Sequence, residues 1–432
     1  MKRKMIFVGT LSLLVIGLCF GQDSLTVDQA VRLVLEHHPA IAQAKQNVLA
    51  SEARALQSTS SWYPDVTAEG TYAFLAPVAK LSFPGLGDFK LYPANNYDAH
   101  VGGRYTVYDF GKRDATENIS QSRVASSRDA VDLTKDALAY QTIRVFYSIL
   151  FLERSIRVQD EQIEALNQHL LTTQRRVSSG TATSFDVLTT QVRVAAAQNQ
   201  KLDQVNILQK QRALLAQLLG AASGKEINIR GEFEHISVPT NSDSLLQSAV
   251  RQRMEVKLAQ DAERSAQLQQ KLTTLGNKPS LNVSLTYGFK NGYIPNLDVL
   301  RGNAVAAVTA EVPIFDGWRN EHQREEAQAN VLAEQAHQRD IEQQVRSDVQ
   351  QAVADVEAAA SKIPISELQL QHAKEAVTIA QQRYETGTVT NLDLLDAQAA
   401  EASAKLASLQ ALYRVVMSKY ELRRAIGAQP LD

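Results

Sequence analysis

The sequence predicts a mostly α-helical fold with a small β part, in which long antiparallel helical hairpins are joined to four strands. Residues 114–177 contain no Pro or Gly, and residues 318–386 contain only Pro364, so both stretches favour very long helices. At 1.5 Å per residue the first would span about 96 Å if unbroken, whereas we expect Pro364 to kink or break the second. Four further segments alternate between apolar and polar side chains, which is the pattern of β-strands.

The first 21 residues have the composition of a secretory signal peptide. Basic residues at 2–4 precede an uncharged apolar run over 5–20, and polar residues follow Gly21, after which we expect cleavage. Cys19 leaves a lipidated N-terminus open, although Leu18 stands where a lipidation signal has a small residue. No uncharged apolar run of 18 residues follows Gly21, so we predict no transmembrane helix. An exported chain of this kind is periplasmic, secreted or an outer membrane β-barrel.

Composition and motifs exclude several classes of function. The single cysteine excludes a disulfide framework, and the net charge of −2 gives no bulk basic character for nucleic acid. No zinc-peptidase motif, nucleophile elbow or phosphate loop is present. His37 and His38 point about 100° apart on a helix, and Pro39 follows, so this pair indicates a helix end rather than a metal site. We therefore predict no enzyme, cofactor, metal site or nucleic-acid partner.

A motif recurs 207 residues later along the chain. Residues 176–191 and 383–398 are identical at seven of sixteen positions, and segment 108–113 corresponds to 314–319. A period this long indicates duplication of a whole architecture rather than a solenoid. After the signal peptide at 1–21, the chain is therefore divided into a first repeat, a linker and a second repeat: 22–221, 222–241 and 242–428.

Each repeat is predicted to end in a long hairpin, with its tip at 177–184 or 384–391. Gly180 and Gly387 are the expected helix stops, and Thr183 or Ser184, with Thr390 or Asn391, are the expected N-caps. After the second tip, large residues follow a heptad: Leu392, Leu395, Ala399, Ala402, Leu406, Leu409, Tyr413, Val416 and Tyr420. A second seam of alanines faces nearly the opposite way: Ala397, Ala400, Ala404, Ala407 and Ala411. Two opposed seams suit a helix in a closed wall of helices.

Four alternating segments predict strands at about 65–76, 97–108, 280–290 and 303–315. Their length is that of a tilted membrane-spanning strand, and aromatic residues stand at the strand ends as in a membrane girdle: Trp62, Tyr63, Tyr108, Phe110, Phe315 and Trp318. Alternation alone fits a soluble sheet with one solvated face equally well, but the signal peptide and girdle favour the membrane. Four strands are too few to close a barrel, so the chain must oligomerise. Two copies reach eight strands and three reach twelve.

The paired tips, with Arg-x-x-x-Gly-Thr-x-Thr-x-x-Asp-x-Leu in each, resemble the TolC-like outer membrane efflux proteins. The terminal Leu-Gly-Ala and Ile-Gly-Ala, and the opening segment 25–31 followed by His38-Pro39, resemble the same family, so the likeness covers about 24–428. It implies a homotrimer whose twelve strands form a barrel in the outer membrane of a Gram-negative bacterium and whose helices wall a periplasmic tunnel. It also implies a periplasmic adaptor, or membrane fusion protein, that docks at the tips, and an inner-membrane pump or secretion ATPase. The channel itself catalyses nothing.

The resemblance also implies two sets of functional residues. Adaptor-docking positions are expected at Val177, Ser179, Gly180, Thr181, Thr386, Gly387, Thr388 and Val389. Residues of the periplasmic gate are expected at Asp393, Asp396, Tyr384 and Asp186. Three copies of Asp393 and Asp396 would crowd six carboxylates, attract cations and raise one another's pKa, although helix capping is the alternative role of these aspartates. Val389 stands where some members carry an arginine that holds the entrance closed.

The function expected is that of the outer membrane channel of a tripartite efflux or type I secretion system, which conducts its substrates passively. Drugs, metals and proteins are all open as cargo, because the pump selects them. A soluble periplasmic coiled-coil adaptor or scaffold is the alternative. Adaptors usually have a single hairpin flanked by small β-domains, whereas this sequence has duplicated hairpins and four alternating segments.

Overall fold

The computed structural model describes residues 24–85, 87–220, 227–233 and 242–429. The predicted signal peptide at 1–21, with Cys19, and most of the linker predicted at 222–241 lie outside these residues. In the described part, no helix is long and apolar enough to cross a membrane.

Eight helices make up most of the described chain. The four short ones come in two pairs of equal length, which are α1 (Val27–His37) and α2 (Pro39–Thr59), and α5 (Ser242–Gln252) and α6 (Met254–Thr274). The four long ones form two hairpins, which are α3 (Lys112–Ser178) with α4 (Ser184–Leu218), and α7 (Arg319–Glu385) with α8 (Asn391–Ala425). Both α3 and α7 have 67 residues and both α4 and α8 have 35, and each begins 207 residues after its counterpart.

Two expectations about the helices have clear outcomes. Pro364 lies inside α7, which runs through it, so the expected break is absent. Between α1 and α2, Nδ1 of His38 accepts a hydrogen bond from the backbone N–H of Ala40 at 3.2 Å, and Pro39 occupies the first turn of α2. The histidine pair therefore lies at a helix boundary, where Pro at the first position costs no hydrogen bond.

Six strands form two antiparallel sheets. The larger contains β1 (Asp65–Phe74), β4 (Asn95–Tyr108), β5 (Ser280–Lys290) and β6 (Arg301–Glu311), in the order β1-β4-β5-β6. The smaller pairs β2 (Lys80–Phe83) with β3 (Gly87–Lys90), a hairpin inside the first loop that the sequence patterns did not predict. The strand expected at 303–315 runs from 301 to 311 instead, and Pro313, which has no N–H to donate, lies just beyond its end.

The register places the apolar side chains of all four long strands on the same face. One row of this face joins Ala68, Val101, Tyr287 and Ala304, and the next joins Val66, Gly103, Leu285 and Ala306. On the opposite face His100 lies 3.1 Å from Asp98, and Nζ of Lys290 lies 3.4 Å from the same carboxylate. The sheet therefore has one continuous apolar face and one polar face with ionic contacts.

Both strand-to-helix junctions use an aspartate. The carboxylate of Asp109 accepts the backbone N–H of Arg113 at 3.0 Å, and that of Asp316 accepts the N–H of Asn320 at 3.0 Å. These carboxylates satisfy N–H groups that have no partner in the first helical turn. Asp109 and Asp316 are also 207 residues apart, so segment 108–113 corresponds to 315–320. The expected alignment with 314–319 is therefore wrong by one residue.

The described residues fall into two compact units, each with its own core. The first unit draws on Met1–Glu36, Gln141–His235 and Ser361–Met417, and the second on His37–Tyr140, Ile236–Ala360 and Ser418–Asp432. The core of the second unit joins four helices through Ala249, Val256, Val345, Val349, Ala352, Leu422 and Ala425. In the first unit, α3, α4 and α8 meet through Leu166, Val194, Ala197 and Leu395. The large-residue seam of α8 contributes four buried side chains: Leu395, Ala402, Leu409 and Val416.

A buried arginine closes the end of α8 in the second unit. Arg253 donates to Glu255 at 2.9 Å and to Asp348 at 3.1 Å, and its Nη1 reaches the carbonyl of Ala425, the last residue of α8, at 3.4 Å. These partners compensate the desolvation of the guanidinium, and the arginine lowers the pKa of Glu255 against the opposing effect of burial. The terminal turn of α8 is therefore fixed by a side chain from the start of α6.

We expect Gly288→Ala to destabilise the sheet. A Cβ at Gly288 would overlap the carbonyl oxygen of Ala99 and the backbone of His100 in the neighbouring strand, so β4 and β5 would have to move apart. Overpacking of this kind costs about 1–3 kcal/mol. Gly70→Ala is the matched control, since a Cβ there meets nothing within 4 Å. Denaturant unfolding in detergent, followed by circular dichroism, should show the loss for Gly288→Ala alone, and equal midpoints would contradict this account.

Candidate functional site

The two hairpin tips have the same backbone geometry. Gly180 and Gly387 adopt left-handed φ angles of 78° and 75°, which end α3 and α7. The N–H of Thr181 returns to the carbonyl of Arg176 at 2.8 Å, and the N–H of Thr388 returns to that of Arg383 at 2.9 Å. This is the six-to-one hydrogen bond of a Schellman motif, which satisfies carbonyl groups at a helix end.

Each second helix begins with a Thr-x-x-Asp capping box. Thr183 Oγ1 accepts the N–H of Asp186 at 3.3 Å, and the Asp186 carboxylate accepts the N–H of Thr183 at 2.9 Å. Thr390 and Asp393 repeat these bonds at 3.2 and 2.8 Å. The sequence left two N-cap positions open at each tip, and the structure selects the threonine.

Helix capping determines the ionisation of Asp393 in the single chain. Hydrogen bonds from the hydroxyl and backbone N–H of Thr390 lower the pKa of this exposed carboxyl. The mutual repulsion expected in a ring of carboxylates would act in the opposite direction, between copies of the chain. Asp393 therefore stabilises its own helix whatever further role it has.

Asp396 has a different partner from its neighbour Asp393. Its carboxylate lies 2.9 Å from Nη2 of Arg193, which projects from α4 of the other hairpin. Both side chains are about half exposed, so the pair has little effect on stability. It does change the charge at this position, because the arginine compensates the aspartate. Sequence patterns gave no sign of Arg193, which lies outside the repeated motif.

Tyr384 is buried, and its described contacts come from α3. The guanidinium of Arg176 lies 4.4 Å from the centre of the Tyr384 ring, while its nitrogens donate to the carbonyls of Tyr384 at 2.9 Å and Glu385 at 3.2 Å. The ring of His169 packs edge-on at 5.1 Å. Asp186, the partner expected for Tyr384, has its carboxylate in the capping box of α4.

A buried amide joins the same helices one turn away. Oδ1 of Asn391 lies 2.6 Å from Nε2 of His169. The Nδ2 group of Asn391 donates to the carbonyl of Asp186 at 3.3 Å and to Oγ1 of Thr190 at 3.4 Å. Burial lowers the pKa of His169, and the nearby positive charge of Arg176 lowers it further. Sequence reasoning missed His169 because a single histidine within a helix carries no local pattern.

The residues expected at the docking surface are mostly exposed. Val177 and Val389 are half-buried, and the remaining positions are exposed: Ser179, Gly180, Thr181, Thr386, Gly387 and Thr388. The hydroxyls of Ser179 and Thr181 lie 3.1 Å apart, as do those of Thr386 and Thr388 at 3.2 Å. These hydroxyls also donate to carbonyls at the end of their own helix. The tips are therefore preformed turns with short polar side chains outward.

The six aromatic residues expected in a membrane girdle are all exposed, and they stand beside the ends of the long strands. Phe110 and Trp318 have positive φ angles at the strand-to-helix junctions. Trp318 packs edge-on against Phe315 at 5.2 Å, and Tyr108 against Phe110 at 4.7 Å. Across the described residues, no group of three or more His, Cys, Asp or Glu side chains is placed to hold a metal ion.

Comparisons with known proteins agree with these features. The family model described as outer membrane efflux protein matches residues 30–221 and 245–428. Protein CyaE of Bordetella pertussis is 24% identical over 389 residues, which cover 89% of this chain and 80% of that protein. Outer membrane protein TolC of Vibrio cholerae is 23% identical over 316 residues, or 71% of each chain.

Solved structures share the fold at low sequence identity. The outer membrane protein VceC of Vibrio cholerae superposes with a TM-score of 0.78 at 19% identity, covering 93% of this chain and 96% of that one. CusC gives a TM-score of 0.80 at 15% identity, covering 93% and 92%. Because the family model covers both repeats of the described architecture, this chain belongs to the outer membrane efflux protein family.

Proposed function

We propose that three copies of this chain form a passive conduit across the outer membrane, as the channel of a tripartite efflux or type I secretion system. Membership of the outer membrane efflux protein family supports an outer membrane channel with a periplasmic helical part. The observation that carries the proposal is the four-stranded sheet, with its continuous apolar face and its two outer strands. In the described residues, β1 and β6 have no strand paired to their outer edges.

Lipid does not tolerate such edges, because every backbone N–H and C=O needs a partner there. Pairing β6 of one copy with β1 of the next would satisfy both edges and close a barrel. Three copies supply twelve strands, and the family resemblance favours three over the two that would also reach eight. The exposed aromatic residues at the strand ends, such as Tyr63 and Trp318, are then the membrane girdle.

The alternative, a soluble periplasmic coiled-coil adaptor, is not favoured. An adaptor has no need of a sheet whose apolar face includes exposed Tyr72, Phe74 and Val308. Exposed apolar area of this extent marks an interaction with lipid or protein. The chain does no catalysis in this proposal, and an inner-membrane pump or secretion ATPase supplies the energy.

The tips form the periplasmic entrance in this proposal, and adaptor hairpins dock on their exposed turns. Tyr384 and Asp186 lie where two hairpins meet, while Asp393 and Asp396 face the aperture. The ion pair between Asp396 and Arg193 makes the entrance less negative than six free carboxylates would be. Cations are still attracted, because Asp393 is ionised and has no cationic partner among its described contacts.

We expect Arg193→Gln to increase the cation selectivity of the channel. The substitution leaves Asp396 unpaired in every copy, which raises the local cation concentration at the aperture. Reversal potentials in planar bilayers under a potassium chloride gradient measure this directly. Concentrations of about 0.1 M or below are needed, because the Debye length is then about 10 Å or more.

Asp396→Asn should lower the selectivity, and the double variant should return close to the wild-type value, since it restores the net charge. Equal reversal potentials for wild type and Arg193→Gln would remove Asp396 from the aperture. A protein that gives no currents in any form would contradict the channel itself.

Ser179→Trp should abolish export in cells without changing the conductance of the purified protein. Ser179 is exposed, and its hydroxyl bonds only to Thr181 and the Arg176 carbonyl, so added bulk there meets a docking partner rather than the core. Thr172→Trp is the matched control, an exposed position on α3 before the tip. Complementation of a deletion strain, scored on whichever export the deletion removes, should separate the two. Normal export by Ser179→Trp would contradict docking at this tip.

A further inference from the structure

His169 is the buried centre of a polar cluster that joins both hairpins of the first unit. It lies on α3 and is 6% exposed, as are its contacts Asn391 on α8 and Tyr384 on α7. Thr173 on α3 and Thr190 on α4 complete the cluster and are fully buried. A side chain from each of the four long helices therefore meets around one imidazole, close to the tips.

The hydrogen bonds fix which nitrogen of His169 carries the proton. Nδ2 of Asn391 donates to the Asp186 carbonyl and to Thr190, so Oδ1 of the amide faces the imidazole. The 2.6 Å contact is therefore a donation from Nε2–H of His169 to Oδ1 of Asn391. The neutral imidazole already makes this bond, and a second proton, on Nδ1, would add charge without adding a bond to Asn391.

The charged groups around the imidazole give little compensation for that charge. From α3, the Arg176 guanidinium opposes protonation, and it is held in place by the carbonyls of Tyr384 and Glu385. From α4, the carboxylate of Asp186 favours protonation, but it is bound to Thr183. From α7 comes the phenol ring of Tyr384, and from α8 the neutral amide of Asn391. Burial has the largest effect of all and also lowers the pKa of His169.

We propose that His169 is a proton-sensitive contact that holds the two hairpins together at neutral pH and weakens their association on acidification. The proposal rests on the tips being the channel entrance, so that separating the hairpins widens it. In the packed state the imidazole is buried and neutral, and in a separated state it is hydrated. Protonation therefore favours separation.

The pH window follows from the direction of the pKa shift. A hydrated histidine titrates near about pH 6.5, and the packed state has a lower pKa. The separated state therefore binds the proton first as the pH falls below about 6.5. Association of the hairpins is strongest above this value, weakens below it, and stops changing once the packed histidine is itself protonated. Each unit of pKa difference changes the opening equilibrium about tenfold per histidine.

The test is the conductance of the full-length protein in planar bilayers at pH 7.5 and pH 5.5. Wild-type conductance should rise severalfold at the lower pH. His169→Gln should remove the rise, because its amide can still donate to Asn391 but does not titrate in this range. His372→Gln is the matched control, since His372 lies on α7 of the same unit with its side chain 65% exposed. It should keep the wild-type response, which also accounts for titration of the carboxylates at the tips.

Asn391→Asp gives a second, independent variant. A carboxylate against the imidazole stabilises its charged form in the packed state, so the conductance should stay low or fall at pH 5.5. A wild-type conductance that does not change with pH, or a His169→Gln channel that responds as the wild type does, would overturn the proposal while leaving the channel intact. The absence of currents from the wild type at pH 7.5 would instead be the failure of the proposed channel.

Discussion

Unpaired strand edges are the constraint on which the other features of this protein depend. The sheet presents one apolar face over four strands, and β1 is exposed along its whole length. A soluble protein would cover such a face with a helix or a second sheet, and it would protect the edges with charges or Pro. Here the edges call for further copies of the same chain, and the apolar face calls for lipid. The polar face, with His100, Asp98 and Lys290 in ionic contact, suits a water-filled interior.

The duplicated helices use identical solutions where identical chemistry is needed. A threonine and an aspartate cap α4 and α8, an aspartate caps α3 and α7, and the spacing between each pair is 207 residues. The two halves differ where the hairpins meet: Arg193 and His169 belong to the first half only, whereas Asp396 and Asn391 supply their partners from the second. Contacts between unlike residues of two related hairpins allow each hairpin to recognise the other rather than a second copy of itself.

Sequence reasoning located the features whose signals are local. Periodicity, glycine stops and capping residues predicted long hairpins with tips at Gly180 and Gly387, and alternation predicted the four long strands. The β2–β3 hairpin was missed because four-residue strands are too short for alternation to be detected. The role of Asp393 could not be settled from sequence, since a cap and a charged ring require the same carboxylate at the same place. His169 was beyond reach for another reason: its partner Asn391 lies 222 residues away, and only the fold brings the two together.

Val389 raises the question of what holds the entrance in this chain. The second tip lacks the arginine found at that position in some related proteins, but Arg176 of the first tip binds backbone carbonyls of residues 384 and 385. Carbonyl acceptors are present whatever side chain occupies the position, and an arginine stays charged at every physiological pH. This contact is therefore constant, and it cannot respond to conditions. Beside it stands the His169–Asn391 pair, which is buried and neutral and is the element of this cluster with an ordinary pKa near neutrality. A constant ionic contact keeps the hairpins in register, and the neighbouring titratable contact adjusts how firmly they associate.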